Sequence, residues 1–197
     1  MGLLNARSAC HKAALIHDVI ADNKLDILLL TETWIPSDAP HAAKLDVAPS
    51  GYTVVHHHRA ASTERRGGGL AVIHRDSFRA TPVDVGDYSE FESLALRVVG
   101  RRSSSLVVVC VYRPPGTVTS AFTEQLSDLL DRLATLDSKF TLPATSTRLA
   151  TRTAWTVALL TSSHDTLCAS MSDLRRTVTA TCWTLSSPEM TTLHVVS

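Results

Sequence analysis

The chain reads as an α/β fold, a partial two-layer β-sandwich flanked by helices. Three observations predict it. Residues 27–30 and 106–112 form two continuous apolar runs, as in strands buried on both faces. One helical pattern of apolar residues precedes the first run, and another follows the second. Helices that flank β-rich stretches must bury their apolar faces on a sheet, which gives a layered architecture.

Asn5 lies near the end of a short first strand. Ala13, Leu15, Ile16, Val19 and Ile20 recur at helical spacing, and Asn23 closes that helix. Ile27 to Leu30 is the first continuous apolar strand. Residues 70–73 are another strand, launched by Gly67, Gly68 and Gly69. Leu94, Leu96 and Val98 alternate, which predicts a half-buried strand over residues 91–98. Residues 106–112 are the most apolar strand, ended by Pro114 and Pro115. Phe122, Leu126, Leu129, Leu130 and Leu133 mark an amphipathic helix.

With 197 residues the chain is long enough for one domain with a real core. Its 19 basic and 19 acidic residues balance, so bulk charge gives no support for a nucleic-acid partner. No apolar run is long enough to span a bilayer, and the first residues lack a charged-then-apolar signal pattern. Cys10, Cys110, Cys168 and Cys182 are far apart, which argues against a zinc knuckle or a disulfide framework. A reducing intracellular setting is the expectation.

Composition changes along the chain. All eight Gly lie at or before Gly116, and residues 141–197 hold none, where about four are expected. The same stretch has 14 Thr and 8 Ser but three acids, Asp165, Asp173 and Glu189. Two regions follow: an orderly one over residues 1–140, and a Ser/Thr-rich one over 141–197 expected to be poorly ordered. Trp155, Trp183 and the apolar residues 157–160 are unusual for a disordered tail.

Phosphodiester chemistry needs a metal, an activated water and stabilised phosphate charge. Hard cations take oxygen ligands, so carboxylates and Asn at strand ends are the candidates. Glu32 stands where its strand ends; it reads as a Mg²⁺ or Mn²⁺ ligand or as a surface carboxylate. The Asn5 amide is placed to orient a ligand or to cap a turn. Tyr112 closes the most apolar strand, as a phosphate contact or as a core Tyr with a bonded tip. Arg113 and Arg66, with its neighbour Arg65, would pair with nucleic-acid backbone or lie solvated. His56, His57 and His58 resemble a metal cluster, but consecutive strand residues point to opposite faces and cannot converge. Gly67 to Gly69 is no phosphate loop, since no Gly-Lys-Ser/Thr follows.

Four stretches, Asn5-Ala-Arg-Ser8, Leu29-Leu-Thr-Glu-Thr-Trp34, Arg66-Gly-Gly-Gly-Leu-Ala-Val72 and Val111-Tyr-Arg-Pro-Pro115, resemble in order and wording one known family. It is the endonuclease domain of non-LTR (LINE-type) retrotransposons, a branch of the endonuclease/exonuclease/phosphatase family. The resemblance runs over about residues 3–140. It implies DNA nicking with Mg²⁺ or Mn²⁺, Glu32 and Asn5 at the metal, Asn5 and Tyr112 at the scissile phosphate, and Arg113 and Arg66 on nucleic acid. It also implies DNA as partner, a nuclear setting, no membrane and no small-molecule cofactor.

That family completes its site with Gly-Asp-Phe-Asn, then a Leu-Asp-Leu-Val-Ile strand, then Ser-Asp-His. None of these words occurs in residues 141–197; His164-Asp165 has the wrong order. The genetic code supplies a reason. Read from each third base, the codons of Pro143 to Thr147 give NGC, NAC, NTC and NAC, which permit Gly-Asp-Phe-Asn. Read the same way, Cys182, Trp183 and Thr184 give YTG, which is Leu, then GAC, which is Asp, and the next triplets permit Leu-Val-Ile. One shifted frame therefore allows both missing words in the right order. Residues from about 140 onward are expected to be translated out of frame, and the chain is expected to be inactive as written. Two other readings stay open: a non-catalytic nucleic-acid-binding remnant, and a sugar or inositol phosphatase of the same superfamily.

Overall fold

The computed structural model describes residues 1–59, 67–100, 105–114 and 116–136, and beyond them the backbone of four strands. In chain order the elements are β1 (Gly2–Asn5), α1 (Ala13–Asp22), β2 (Ile27–Thr31), α2 (His41–Leu45), β3 (Tyr52–His57), β4 (Leu70–Arg75), β5 (Arg79–Val83), β6 (Glu92–Val99), β7 (Ser105–Arg113), α3 (Ser120–Thr135), β8 (Ala144–Leu149), β9 (Arg152–Ser162), β10 (Val178–Thr184) and β11 (Thr191–Val195). They make two sheets, ordered β11-β10-β1-β2-β4-β3 and β5-β6-β7-β9-β8. The fold class is the expected α/β. The chain divides into two compact units, Met1–Phe78 with Thr181–Thr192 and Arg79–Ala180 with Leu193–Ser197.

In the first unit β1 and β2 are parallel neighbours, with Leu4 beside Leu30 and Asn5 beside Thr31. A parallel pair needs a crossover, and α1 supplies it. The helix buries Ile16 and Ile20 against Leu4, Leu28, Leu30, Ala71 and Ile73. The alternate residues of β2, Ile27, Leu29 and Thr31, are buried too, so the continuous apolar run has both faces covered. Asn23 ends α1 as expected: its side-chain amide donates to the Val19 carbonyl at 2.9 Å. Lys24 then takes a left-handed turn, φ +50°, that carries the chain into Leu25.

The second unit is built on β7. Val107, Val109 and Val111 pack with Phe91, Ala95 and the α3 residues Leu129 and Leu133. Thr119 caps α3 by accepting from the Phe122 amide at 3.1 Å. The Phe91 ring stacks on Tyr88 at 4.6 Å and meets Phe122 edge-on at 5.8 Å. Burial first, and then the Asp128 carboxylate 2.9 Å away, push the Tyr88 hydroxyl up to about 12.

Two expectations are corrected. Strand β6 does not alternate between buried and exposed, because Ser93 and Ala95 are buried along with Leu94, Leu96 and Val98. The inward residues between the leucines are small, so that face closes as well. Nor do β1 and β7 keep the unpaired edges that half a domain over residues 1–140 would be expected to leave. Strand β10 runs parallel to β1, with Leu4 beside Trp183, and β9 runs antiparallel to β7, with Tyr112 beside Thr156. A ladder uses main-chain groups that every residue carries, and a stretch rich in Thr suits the pleat. How the side chains of residues 141–197 pack, Trp155 and Trp183 included, lies outside the described residues.

The three histidines behave as strand alternation requires. His56 and His58 share a face and stack at 5.5 Å, 9° from parallel. His56 Nε2 meets the Lys44 carbonyl and His58 Nδ1 the Ile35 carbonyl, each at 2.9 Å, so the pair ties β3 to α2 and to the segment after β2. Burial lowers the His56 pKa below its ordinary 6.5, and the neighbouring charges of His58 and Lys44 lower it further. Protonation would also place an N–H at Nδ1, which is buried with no acceptor among the described residues. A depressed histidine pKa favours the neutral form in the folded state. Stability from this site is therefore complete above the unfolded pKa of about 6.5 and is lost as pH falls below it. Urea midpoints should drop between about pH 7.5 and about pH 5.5. An identical drop in His56→Gln would assign the slope to other groups.

Candidate active site

The first unit gathers its polar residues where β1 and β2 end side by side. The strand hydrogen bonds continue past the formal ends: Ala6 N donates to Thr31 O, Ser8 N to Glu32 O and Ala9 N to Thr33 O, at 2.8–2.9 Å. On the other side Thr33 N donates to Gly69 O and Trp34 N to Gly68 O, at 3.1 and 2.9 Å. Asn5 and Glu32 thus stand on adjacent, mutually bonded segments. Lys12 clamps the first of them, its ammonium donating to the carbonyls of Ala6 at 2.8 Å and Arg7 at 2.9 Å.

The backbone here is strained. Among the described residues five non-glycine positions have left-handed φ, and four are Arg7, Ser8, Glu32 and Trp34. Each such residue costs on the order of 1–3 kcal/mol, and such strain concentrates where function fixes the geometry. At Glu32, φ +53° breaks the strand's alternation directly after Thr31, so the carboxylate is presented from a turn. Asn5 Oδ1 accepts from Arg7 N at 3.2 Å, the turn-forming bond of its alternative reading. An amide oxygen has two lone pairs, so this bond leaves one for a ligand.

The second unit holds Tyr112 and Arg113 at the end of β7. Tyr112 is 3% exposed and lies opposite Glu92 across the β6–β7 ladder. Arg113 is 4% exposed, and its guanidinium lies 4.9 Å from the centre of the Phe122 ring. It donates to the carbonyls of Gly116 and Thr117, which closes the turn after β7. Sequence alone does not show this use of Arg113, since a cation beside Pro114 looks the same whether solvated or buried. Arg66 lies outside the described residues.

Three residues escape the sequence reading. Lys12 looks like an ordinary helix-start lysine, and its carbonyl clamp depends on the path of residues 6–8. Glu92 is hidden because strand pairing, not spacing, sets it against Tyr112. Trp34 is visible as part of a motif, but not as a large aromatic left 45% exposed beside Glu32.

The fold and this strand-end arrangement define an α/β protein with carboxylate and amide oxygens presented from adjacent strands. The chain belongs to the Endonuclease/Exonuclease/phosphatase family, whose profile matches residues 1–144. Among solved structures, it is similar to the AP endonuclease LMAP from Leishmania major, at 18% identity and TM-score 0.51, covering 68% of this chain and 47% of that one. Also similar is the 3′ phosphatase NExo from Neisseria bound to a product DNA hairpin, at 16% identity and TM-score 0.42, covering 71% and 55%. The 3′-5′ exonuclease NExo from Neisseria meningitidis matches at 16% identity and TM-score 0.40, with the same coverage. The chain spans about half the length of these structures. No curated protein matches it.

The residues present fit a divalent cation of one kind. Glu32 and Asn5 offer hard oxygen donors on bonded neighbouring segments, as Mg²⁺ prefers. Among the described residues no group of three or more His, Cys, Asp or Glu side chains stands together to hold a metal ion. No helix among the described residues is long and apolar enough to cross a membrane.

Proposed function

We propose that this chain is the first half of a metal-dependent DNA endonuclease of the retrotransposon type, inactive as written because residues from about 140 onward are read out of frame. The layout proposed is a family domain half over residues 1–140, followed by an out-of-frame stretch over 141–197. One observation carries the reading: Asn5 and Glu32 stand on adjacent, strained segments at the ends of β1 and β2, joined by the Ser8–Glu32 backbone bond.

Each residue has a stated part. Glu32 holds the cation, and the free lone pair of Asn5 orients the scissile phosphate or shares the ion. A bound Mg²⁺ or Mn²⁺ supplies charge neutralisation and a more acidic water. The Tyr112 hydroxyl donates to a phosphate oxygen, Arg113 holds the turn that follows Tyr112, and Arg66 contacts DNA backbone. A general base and a phosphate-binding His are absent as words from residues 141–197. The nuclear setting and the DNA partner belong to this same proposal.

The nucleotide sequence between the codons of Ser138 and Thr192 tests the frame directly. The expected result is an open third-base frame spelling Gly-Asp-Phe-Asn and then Leu-Asp-Leu. An early stop, or codons other than Asp where Asp is required, would refute it.

A further inference from the structure

Among the described residues of the first unit, the Trp34 side chain is the largest apolar group left exposed, and the backbone holds it there. Its φ is +55°, a conformation that a bulky residue keeps only under constraint. Its amide donates to Gly68 O at 2.9 Å, and its carbonyl accepts from the Cys10 thiol at 3.7 Å. The three glycines facing it all have positive φ, +106°, +87° and +84°. A Cβ at Gly67 would lie 2.9 Å from the indole Nε1 and 3.3 Å from Cε2, so only bare backbone can sit against the ring there. Gly67 is thus a seat for the pyrrole edge of the indole, and the side chain remains 45% exposed two residues from Glu32.

We propose that Trp34 is a stacking platform for a nucleobase of the DNA strand whose phosphate lies at Glu32, and so a positioning residue for the substrate. The inference rests on the DNA reading above and adds the contact by which bases, rather than phosphates, are held. Every base has a π-face, so an aromatic platform grips a strand without selecting its sequence. A ring fixed at both main-chain atoms and on one side of its pyrrole loses little freedom when a base stacks on it, which favours this use over loose apolar contact.

The test uses the full chain, with chelator present to prevent cleavage. It compares a labelled oligothymidylate with an equal-length strand of abasic deoxyribose phosphate, by fluorescence anisotropy. The base-bearing strand should bind roughly 5- to 100-fold more tightly. Trp34→Ala should reduce its affinity to that of the abasic strand and leave the abasic strand unchanged. Trp34→Phe keeps a π-face and should retain most of the preference, whereas Trp34→Leu keeps apolar bulk and should behave like Trp34→Ala. Equal affinity of the native chain for the two strands, or native-like binding by Trp34→Leu, overturns the stacking role while the DNA reading stands. A change of oligomeric state in Trp34→Ala would mean that the indole packs on a second copy, and also overturns it. Failure of both strands to bind the native chain overturns the DNA reading and the stacking role together.

Discussion

Rebuilding the gene so that the shifted frame is read after Lys139 is expected to yield a protein that nicks supercoiled plasmid in the presence of Mg²⁺. The chain as written should show no metal-dependent nicking above a Glu32→Ala control. In the rebuilt protein, Glu32→Ala should lower the nicking rate by more than about 100-fold, because losing a mere outer-shell partner of a metal already costs about 10- to 100-fold. The same substitution in the chain as written should change nothing, since a ligand removed from a site that does not turn over has no rate to lose. The contrast isolates the second half of the site. If the chain as written nicks DNA and Glu32→Ala removes that activity, the out-of-frame reading is wrong, and His164 and Asp165 become the first residues to test.

The largest effect on stability is expected from Leu30→Ala. Leu30 is wholly buried at the middle of its sheet, beside Leu4 on one flank and Ala71 on the other, within the cluster that includes Ile16 and Ile20 of α1. Neither flanking strand nor the crossover helix can move into the space without breaking ladder bonds, so the cavity should persist. The expected loss is about 2–5 kcal/mol, against a total stability of about 5–15 kcal/mol for a domain. Leu15→Ala is the matched control: Leu15 lies on the same helix pattern but is half exposed, and its loss should stay within about 0.5 kcal/mol. Urea titration followed by far-ultraviolet circular dichroism checks both. Equal midpoints for the two variants would show that this cluster does not govern folding.

The elements read from sequence were those whose side chains carry a period. Strands β2 and β7 are apolar throughout because both faces are covered, and α1 and α3 repeat Ile or Leu at helical spacing. Strand β1, four residues long, reads only as a short strand ending near Asn5, and β5, which contains Pro82, does not read as a strand at all. In β6 the buried Ser93 and Ala95 imitate the exposed half of an alternation, and only packing distinguishes the two. Glu32 and Asn5 stood out individually as polar residues closing apolar strands. Their adjacency was implied only by the family resemblance, because the parallel pairing of β1 with β2 is a long-range event that spacing does not show. The left-handed turns at Arg7, Ser8 and Trp34 gave no warning, since none of these residues is a glycine. Arg113 shows the same limit: its burial follows from the turn at Gly116 and Thr117, not from its neighbours in sequence.

The place of β1 between β2 and β10 also sets an order of events during synthesis. Leu4 leaves the ribosome well before Trp183, which lies in the strand that flanks it on the second side. At translation speeds of about 5–20 residues per second, β1 waits on the order of ten seconds with one row of main-chain groups unanswered. Strands β2, β3 and β4 can pair during that interval, because all three have emerged by residue 75. The nascent protein therefore passes through a state with a ready-made docking rail for any extended peptide. A holding chaperone, or crowding between ribosomes on one message, would act on this chain at that step before the sheet is closed.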